Sequence, residues 1–311
     1  MRVFTDHRCH EHVSPRGYPE QDQRLMGILE KLSADGWELQ RECPFPDAEQ
    51  AVRSLHDPRY LERFERAVER GDGLLDSADN PLCPGTWSAA WGAAEATAAA
   101  ADWLLDGHGR RAFAAVRPPG HHAERGTAMG FCFLGNAAVA AEHLIRSRGL
   151  SRVAIFDFDV HHGNGTQHLF EERGDVLYAS THQHPFYPGT GLREERGRGA
   201  GVGATVNVPL PAGTGDEAFR TAVEAEILPA IEAFRPDVMI ASAGFDAWKE
   251  DPIGGLRLEL ETFRWLGERL AALASVHSQG RLLSVLEGGY DLRWLPRLVA
   301  AYLEGQQKGR N

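Results

Sequence analysis

Two aspartates and two histidines directly follow one apolar run in the middle of the chain. Residues 153–156 are apolar, and they are followed by Asp157, Asp159, His161 and His162. Alternate residues of an extended segment point the same way, so Asp159 and His161 can share one direction, with Asp157 one step deeper. Buried carboxylates are costly unless they are paired or bind a metal. A helix-capping role is the ordinary alternative, but the pattern predicts that Asp159 and His161 bind one divalent cation.

A third ligand is offered by Asp246 in the segment SAGFDAW, which also follows an apolar run. Taken alone, Asp246 is equally well explained as an ordinary turn residue. Together with Asp159 and His161 it makes three protein ligands and leaves a fourth position for water. That arrangement is typical of a catalytic zinc ion rather than a structural one.

The tandem histidines His121 and His122 follow the stiff segment RPPG. Histidine has an unperturbed pKa of about 6.5, which suits general acid and base work at neutral pH. An isolated pair is more often an exposed surface feature, but the metal pattern favours a catalytic role. We therefore expect both rings to face the metal-bound water without binding the metal.

Several aromatic residues adjoin these segments. Tyr290 follows two glycines in EGGYD, where its phenol could donate a hydrogen bond to a developing oxyanion. Phe131, Phe186 and Tyr187 are either core residues or the walls of a pocket. Aromatic walls would suit an aliphatic chain that carries a cation at its far end.

All of these groups follow short apolar segments that predict β-strands. Such segments alternate with longer ones of helical period, which indicates a parallel sheet covered by helices on both faces. Ligand sites form beyond the carboxyl ends of parallel strands, so five distant segments should converge. The predicted strands are residues 112–116, 153–159, 176–181, 237–244 and 281–289, and the predicted helices are residues 87–105, 135–149, 216–234 and 258–276.

The composition excludes several classes of protein. We expect a single domain over residues 1–311, because no linker, repeat or low-complexity tract interrupts them, and residues 193–205 predict a surface loop. The formal net charge of -11 argues against a broad nucleic-acid surface. The four cysteines have no CxxC spacing, which argues against a disulfide framework or a thiolate zinc site. No apolar stretch could form a signal peptide or a membrane span. We expect a cytoplasmic protein.

An ordered set of motifs resembles the zinc-dependent superfamily of histone deacetylases and acetylpolyamine amidohydrolases. The set spans residues 112–291 and comprises RPPGHH, GFCFLGN, DFDVHHGNGT, FYPGTG, NVPLPAGTGD, SAGFDAW and LEGGYD. The resemblance implies the arginase/deacetylase fold, a single α/β domain with a central, mostly parallel sheet of about eight strands. It also implies hydrolysis of an acylated amine, with release of acetate and the free amine.

The resemblance also implies a role for each matching residue. Zinc, or alternatively ferrous iron, would be bound by Asp159, His161 and Asp246. The catalytic residues would be His121 with its partner Asp157, His122 with its partner Asn164, and the oxyanion donor Tyr290. Asparagine at position 164 resembles the class II side of the family. A structural K⁺ or Na⁺ would lie among Asp157, Asp159, His161, Ser180 and Thr181. Substrate would contact Asp79, Gly130, Phe131, Phe186, Tyr187 and Ile253.

The substrate itself stays open at this stage. Acetyl-lysine in a protein or peptide, acetylated polyamines and small-metabolite amides all present the same scissile bond, and the acidic residues Glu20, Asp22 and Asp79 could attract any cationic substrate. Two other functions remain as alternatives. A ureohydrolase-like enzyme would hold two manganese ions, and a catalytically inactive binding module would recognise the acylated amine without cleaving it. Neither oligomeric state nor acyl-chain preference follows from the sequence.

Overall fold

Eight parallel strands form one sheet in the computed structural model, which describes residues 1–308. The strands are β1 (Arg2–Phe4), β2 (Leu39–Gln40), β3 (Arg111–Ala114), β4 (Val153–Asp157), β5 (Val176–Gln183), β6 (Thr205–Leu210), β7 (Val238–Ala243) and β8 (Leu282–Leu286). Their order across the sheet is β2-β1-β3-β8-β7-β4-β5-β6, and every pairing is parallel. The predicted α/β architecture with about eight strands is confirmed.

Helices flank this sheet. They are α1 (Asp22–Ala34), α2 (Ala48–Leu55), α3 (Pro58–Arg70), α4 (Thr86–Leu105), α5 (Asn136–Arg146), α6 (Asn164–Phe170), α7 (Asp216–Ala222), α8 (Leu228–Phe234), α9 (Leu260–His277) and α10 (Leu295–Lys308). Helices α1, α9 and α10 pack together, and α4 packs against α5. Within residues 1–308, no helix is long and apolar enough to cross a membrane.

The predicted strands are all present, but most of them end earlier than predicted. Strand β4 ends at Asp157 rather than at residue 159, and β8 ends at Leu286 rather than at residue 289. After β4, the backbone N–H of Asp159 donates to the Asp157 carboxylate (3.1 Å) instead of continuing the sheet. A side-chain acceptor of this kind competes with the hydrogen bonds between neighbouring strands, so the polar residues after Asp157 leave the sheet.

The predicted helix at residues 216–234 is interrupted. Helices α7 and α8 are joined by one wide π-helical turn, Val223–Ile227. Pro229 lies just beyond this turn and has no backbone N–H, so it cannot donate to the carbonyl four residues earlier. A local widening to i→i+5 bonding is the usual response to such a defect. The loop predicted at residues 193–205 is irregular and largely exposed, apart from a short 3₁₀ turn at Gly199–Gly201.

The four central strands bring their carboxyl ends to one level. Strands β3, β8, β7 and β4 are neighbours in the sheet, and Asp157 of β4 lies in register with Ser242 of β7. All four strands are fully buried, which matches their continuous apolar sequences. Their carboxyl ends therefore deliver residues from four distant parts of the chain to a single place.

Candidate active site

Asp159, His161 and Asp246 meet beyond the ends of β4 and β7. One ligand atom from each lies within 4.8 Å of the others, and all three residues are buried. His161 Nδ1 is 3.0 Å from Asp159 Oδ1 and 3.3 Å from Asp246 Oδ2. Within residues 1–308, no other cluster of three such residues has this geometry. The three side chains that were predicted to bind one metal are therefore brought together.

The chemistry of this cluster fits a divalent cation. Asp246 Oδ2 is buried and accepts no hydrogen bond from the part of the chain that the structure describes. Burial and the neighbouring Asp159 carboxylate raise the pKa of Asp246 to about 7. Burial by itself would lower the pKa of His161, but the two carboxylates raise it to about 9. A bound cation would offset both pKa shifts, because it favours ionised carboxylates and a neutral imidazole.

Glycine is required beside this cluster at position 288. The backbone N–H of Gly288 donates to Asp159 Oδ2 (2.8 Å). A Cβ atom there would lie 2.1 Å from Asp246 Oδ2 and 2.5 Å from Asp159 Oδ2. The loop after β8 can therefore approach both carboxylates only because it has no side chain at this point.

The two tandem histidines lie beside the cluster with different partners. Their ring centroids are 4.0 Å apart, and the His122 ring is 5.8 Å from that of His161. His121 Nδ1 is 2.9 Å from Asp157 Oδ2, whereas His122 Nδ1 is 2.7 Å from Asn164 Oδ1. Both predicted partner pairs are therefore in hydrogen-bond contact.

These partners separate the pKa values of the two rings. Burial would lower the pKa of His121, but the carboxylates of Asp157 and Asp159 raise it to about 10. Burial lowers the pKa of His122 well below its usual value, and the positive charges of His121 and His161 lower it further. The site thus holds a cationic imidazole next to a neutral one, and a neutral imidazole can accept a proton.

Tyr290 completes the inner site from the loop after β8. Its phenol ring is buried and packs edge-on against Phe131, with ring centroids 5.8 Å apart. The guanidinium of Arg24 lies 4.8 Å from the centre of the Tyr290 ring, and Arg24 Nε donates to the carbonyl of Gly289 (2.7 Å). Asp251 accepts the backbone N–H of Tyr290 (2.7 Å). Burial raises the pKa of the phenol well above its usual value, so the group stays a donor.

Aromatic residues also line the outer part of the site. Phe186 stacks on His161 with centroids 5.1 Å apart, and Tyr187 packs edge-on against His122 at 5.1 Å. The Tyr187 hydroxyl donates to Asp79 Oδ2 (3.2 Å), which also accepts the backbone N–H of Gly130 (3.0 Å). Tyr187 is 39% exposed, so this edge faces solvent. The predicted wall residues are therefore in place around the histidines.

Ile253 is less closely connected to this group. It is half-buried, and its backbone N–H donates to Asp251 (2.9 Å). Asp251 also accepts the backbone N–H of Tyr290, so Ile253 is connected to the Tyr290 loop through Asp251. Glu20 differs from expectation as well. It is completely buried in an ion pair with Arg117 (2.8 Å), which leaves it inaccessible to a cationic substrate.

The predicted monovalent-cation residues include two members of the metal cluster, Asp159 and His161, and three further residues on β4 and β5. Asp157 and Ser180 are in register on β4 and β5, and both are fully buried. The Ser180 hydroxyl is bonded to His182 Nδ1 (2.9 Å). The hydroxyl of Thr181 is buried without a hydrogen bond among the described residues.

Three residues of the site were not identified from the sequence. Glu287 is buried and accepts the backbone N–H groups of Gly120 (2.7 Å) and His121 (3.1 Å). Arg24 donates to the backbone of the Tyr290 loop, although the two are more than 260 residues apart in sequence. Glu124 accepts a hydrogen bond from the side-chain amide of Asn164 (2.5 Å), which is the partner of His122. Glu124 lies two residues after RPPGHH and Glu287 lies within LEGGYD, so adjacency was an available signal, whereas Arg24 is far along the chain from these motifs.

Comparisons with known proteins agree with this geometry. Residues 18–306 match the family description "Histone deacetylase domain". A probable deacetylase of Archaeoglobus fulgidus is 39% identical over 294 residues, which cover 93% of this chain and 81% of the relative. A histone deacetylase-like amidohydrolase of Pseudomonas aeruginosa is 39% identical over 287 residues, which cover 92% of this chain and 75% of the relative.

A solved structure covers the chain from end to end. The crystal structure of an acetylpolyamine aminohydrolase from Burkholderia pseudomallei superposes with a TM-score of 0.89 at 32% identity and covers 100% of both chains. The chain therefore belongs to the histone deacetylase family of amide hydrolases, which confirms the family, the fold and the general deacetylase activity that its motifs predicted.

Proposed function

We propose that this chain is a metal-dependent deacetylase that uses Asp159, His161 and Asp246 to hold one zinc ion, with ferrous iron as the alternative ion. The observation that carries the proposal is the buried triad with a neutral imidazole beside it. Two carboxylates and one imidazole leave a coordination position open for catalysis. A single triad also argues against the two-manganese alternative, which needs further carboxylates.

The metal ion would contribute Lewis acidity, polarising the amide carbonyl and lowering the pKa of water at the same site. The protein residues do the remaining work. His122 accepts a proton from the attacking water, and the oxygen of that water forms a bond to the carbonyl carbon. When the carbon–nitrogen bond breaks, the same proton passes from His122 to the leaving amine. The products are the free amine and a carboxylic acid such as acetic acid, which then loses its proton to solvent.

Two neighbours support His122 and the reacting carbonyl. His121 stays protonated against Asp157, so it supplies a fixed positive charge beside the negative charge that develops on the carbonyl oxygen. Tyr290 donates a hydrogen bond to that oxygen from a loop held by Arg24 and Asp251. Preorganised donors of this kind stabilise a transition state without reorganising during the reaction.

A monovalent cation is the second part of the proposal. Asp157, Asp159, His161, Ser180 and Thr181 would hold K⁺ or Na⁺ behind the zinc site. The buried Thr181 hydroxyl without a hydrogen bond among residues 1–308 and the fully buried Asp157 carboxylate support this assignment. Burial raises the pKa of Asp157, and a nearby cation would offset that cost.

The proposed substrate is an acylated amine on a narrow aliphatic chain. Phe131, Phe186 and Tyr187 supply aromatic walls, and the partly exposed edge at Tyr187 carries the carboxylate of Asp79. Acetyl-lysine in a peptide and acetylated polyamines both satisfy this description, and the relative from Burkholderia pseudomallei is named for the second class. A cytoplasmic location and a single domain over residues 1–311 remain predictions.

The test is acetate release by metal-defined protein from a panel of substrates. The panel contains an acetyl-lysine peptide, acetylputrescine, acetylspermidine and an acyl-lysine with a longer chain. We expect turnover only with metal and a preference for one class. Binding of these compounds without acetate release would instead favour the inactive binding module, and two transition ions per chain would favour the ureohydrolase alternative.

A further inference from the structure

A chain of hydrogen bonds leads from His122 to the protein surface. His122 Nδ1 contacts Asn164 Oδ1 (2.7 Å), and Asn164 Nδ2 donates to Glu124 Oε1 (2.5 Å). The same Glu124 oxygen accepts from His168 Nδ1 (2.7 Å), and the His168 side chain is 37% exposed. The neutral partner of His122 is therefore backed by a carboxylate that does not touch His122 itself.

The carboxylate permits only one orientation of the Asn164 amide. A carboxylate accepts hydrogen bonds and donates none, so the amide must present Nδ2 to Glu124 and Oδ1 to His122. The second Nδ2 hydrogen is directed at the sulfur of Met129 (3.3 Å). A flipped amide would place its oxygen against the carboxylate of Glu124, which is strongly repulsive at this distance.

The amide orientation in turn selects the tautomer of His122. When Asn164 Oδ1 faces the ring, the proton lies on Nδ1 and Nε2 keeps a free lone pair. When Nδ2 faces the ring, Nδ1 must accept, the proton moves to Nε2, and the ring cannot act as a base there. In a histidine ring, the hydrogen bond made by one nitrogen determines whether the other nitrogen carries a proton.

We propose that Glu124 is a positioning residue for catalysis, because its carboxylate holds the Asn164 amide in the orientation that leaves His122 Nε2 free to accept a proton. This proposal rests on the proposed role of His122 as the base. Glu124 contacts neither the metal ligands nor the reacting atoms, so it acts only through Asn164.

Two hydrogen bonds hold the backbone of Glu124. The backbone carbonyl of Glu124 accepts from His56 Nδ1 (3.0 Å), and its N–H donates to the carbonyl of Thr127 (3.0 Å). His56 Nε2 accepts the N–H of Gly135 (3.1 Å), which fixes the proton of that ring on Nδ1. The backbone of Glu124 is therefore fixed, and from that position its carboxylate accepts from both Asn164 and His168.

The proposal predicts an unusual result for the substitution Asn164→Asp. An aspartate accepts in every orientation, so it needs no carboxylate to orient it. With Glu124 present, however, the two carboxylates would lie within hydrogen-bond distance and repel each other. Removing Glu124 should therefore harm the wild-type enzyme but improve the Asn164→Asp enzyme.

The experiment compares Glu124→Ala, Asn164→Asp and the double variant as zinc-loaded proteins, with the most active substrate of the panel above. We expect Glu124→Ala to lower kcat by about 10- to 100-fold with KM nearly unchanged. The double variant should be at least tenfold faster than Asn164→Asp alone, since interacting residues give non-additive effects. The exposed Glu172→Ala serves as the matched control and should keep wild-type kcat.

Nitrogen-15 NMR of the labelled histidine rings gives a readout besides activity. We expect the His122 proton on Nδ1 in the wild type and partly on Nε2 in Glu124→Ala, with bound zinc and melting temperature unchanged. Wild-type kcat in Glu124→Ala, or an unchanged tautomer, would overturn the proposal. So would additive losses in the double variant.

A second pair of variants covers failure of Glu124→Ala to fold. Glu124→Gln keeps the shape of the side chain but can offer Asn164 either a donor or an acceptor, so we again expect a loss in kcat. The double variant Glu124→Gln/Asn164→Asp exchanges the positions of the amide and the carboxylate. Its kcat should be higher than that of either single variant. Full activity of His122→Ala would instead refute the proposed base, which is a separate result from any of these.

Discussion

The adjacent histidines show how one residue type adopts two different charge states. His121 is bonded to the Asp157 carboxylate and His122 to the neutral Asn164 amide. A carboxylate stabilises the imidazolium form, whereas an amide does so only weakly, and burial then favours the neutral ring. At neutral pH His121 is therefore a cation and His122 is a free base.

The substitution His122→Ala should remove the proposed proton acceptor and leave the proposed metal ligands in place. We expect kcat to fall by about 10²- to 10⁴-fold, which is the usual contribution of a positioned general base. Steady-state kinetics and metal analysis of the same sample measure both quantities. The half-exposed His10→Ala is the control and should keep full activity. Normal turnover by His122→Ala would remove His122 from this role.

Tyr290→Phe should remove one hydrogen-bond donor from the transition state. The expected loss in kcat is about 10²- to 10³-fold, with little change in the melting temperature. Tyr60→Phe is a matched control, since the buried Tyr60 hydroxyl donates to the carbonyl of Phe133 (2.7 Å) away from the site. That variant should lose stability but keep kcat. A loss smaller than about tenfold in Tyr290→Phe would show that another group holds the oxyanion.

Among the structural elements, the loops beyond the strands determine where the catalytic rings lie. The loop that carries Gly130 passes directly over His122, with the glycine at a φ of 58°. A Cβ atom at this position would lie 2.2 Å from Cδ2 of His122. The loop thus fixes the ring from above while Asn164 fixes it through Nδ1.

Gly130→Ala should therefore displace the His122 ring and lower kcat by about tenfold or more. Gly36→Ala is the control, because Gly36 also has a positive φ of 81° but has nothing within 4 Å of the added Cβ. Both variants should lose about 1 kcal/mol of stability from backbone strain. Equal kcat values for the two variants would contradict this role of Gly130.

A buried ion cluster attaches the segment before α1 to the segment that carries the histidine pair. Glu20 Oε1 accepts from Arg117 Nε (2.9 Å) and from an Arg24 amino group (3.1 Å), and all three residues are nearly inaccessible to solvent. Burial would raise the pKa of Glu20, but the two guanidinium groups lower it to about 2. Arg117 immediately precedes the segment of His121 and His122, so the cluster also supports the site.

The substitution Glu20→Gln should leave both arginines buried without their charge partner. We expect it to lower the free energy of unfolding at pH 7 by about 3 kcal/mol or more. The ordinary pKa of 4.5 falls to about 2 in the folded protein, so the stabilisation is present above pH 4.5 and is lost as the pH falls toward 2.

Urea denaturation at several pH values tests this expectation. The stability difference between wild type and Glu20→Gln should narrow as the pH falls below about 4.5. The exposed Glu30→Gln on α1 is the control and should match the wild type at every pH. A difference that does not change with pH would show that the Glu20 charge contributes nothing to folding.

For the whole molecule, the metal should act as a folding ligand. The three proposed metal ligands follow two strands, β4 and β7, that are far apart in the chain. A ligand that binds only the native state stabilises that state by mass action. We expect chelated protein to lose activity and to melt at a lower temperature, and both properties should return with one equivalent of Zn²⁺. At a free metal concentration about 1,000 times the Kd, the gain in stability is about 4 kcal/mol.

Asp246→Asn separates this effect from a general influence of zinc. The substitution removes a proposed ligand but keeps the size of the side chain, so the melting temperature of the variant should be nearly independent of added Zn²⁺. Asp237→Asn, a matched change at a half-buried position outside the site, should respond to Zn²⁺ as the wild type does, because the Asp237 carboxylate accepts from the backbone N–H groups of residues 151 and 152. An identical response of all three proteins would place the metal elsewhere.

The sequence by itself determined the fold class and the identity of the chemical groups. Continuous apolar strands alternating with helices can be buried only in a parallel sheet between helices, and the polar residues at the strand ends then share one edge. Hence the triad of Asp159, His161 and Asp246 was predictable from local patterns, and so were the histidine pair and Tyr290.

Only the tertiary structure decided how these groups are held and charged. Arg24 donates to the Tyr290 loop, Glu20 forms an ion pair with Arg117, and Glu124 accepts from Asn164. No short-range pattern encodes these contacts, because each depends on the distance between segments that are remote in sequence or on the exact turn of a loop. Charge states depend in the same way on burial and on neighbours in space, which is why His121 and His122 could not be told apart by their adjacent positions in the chain.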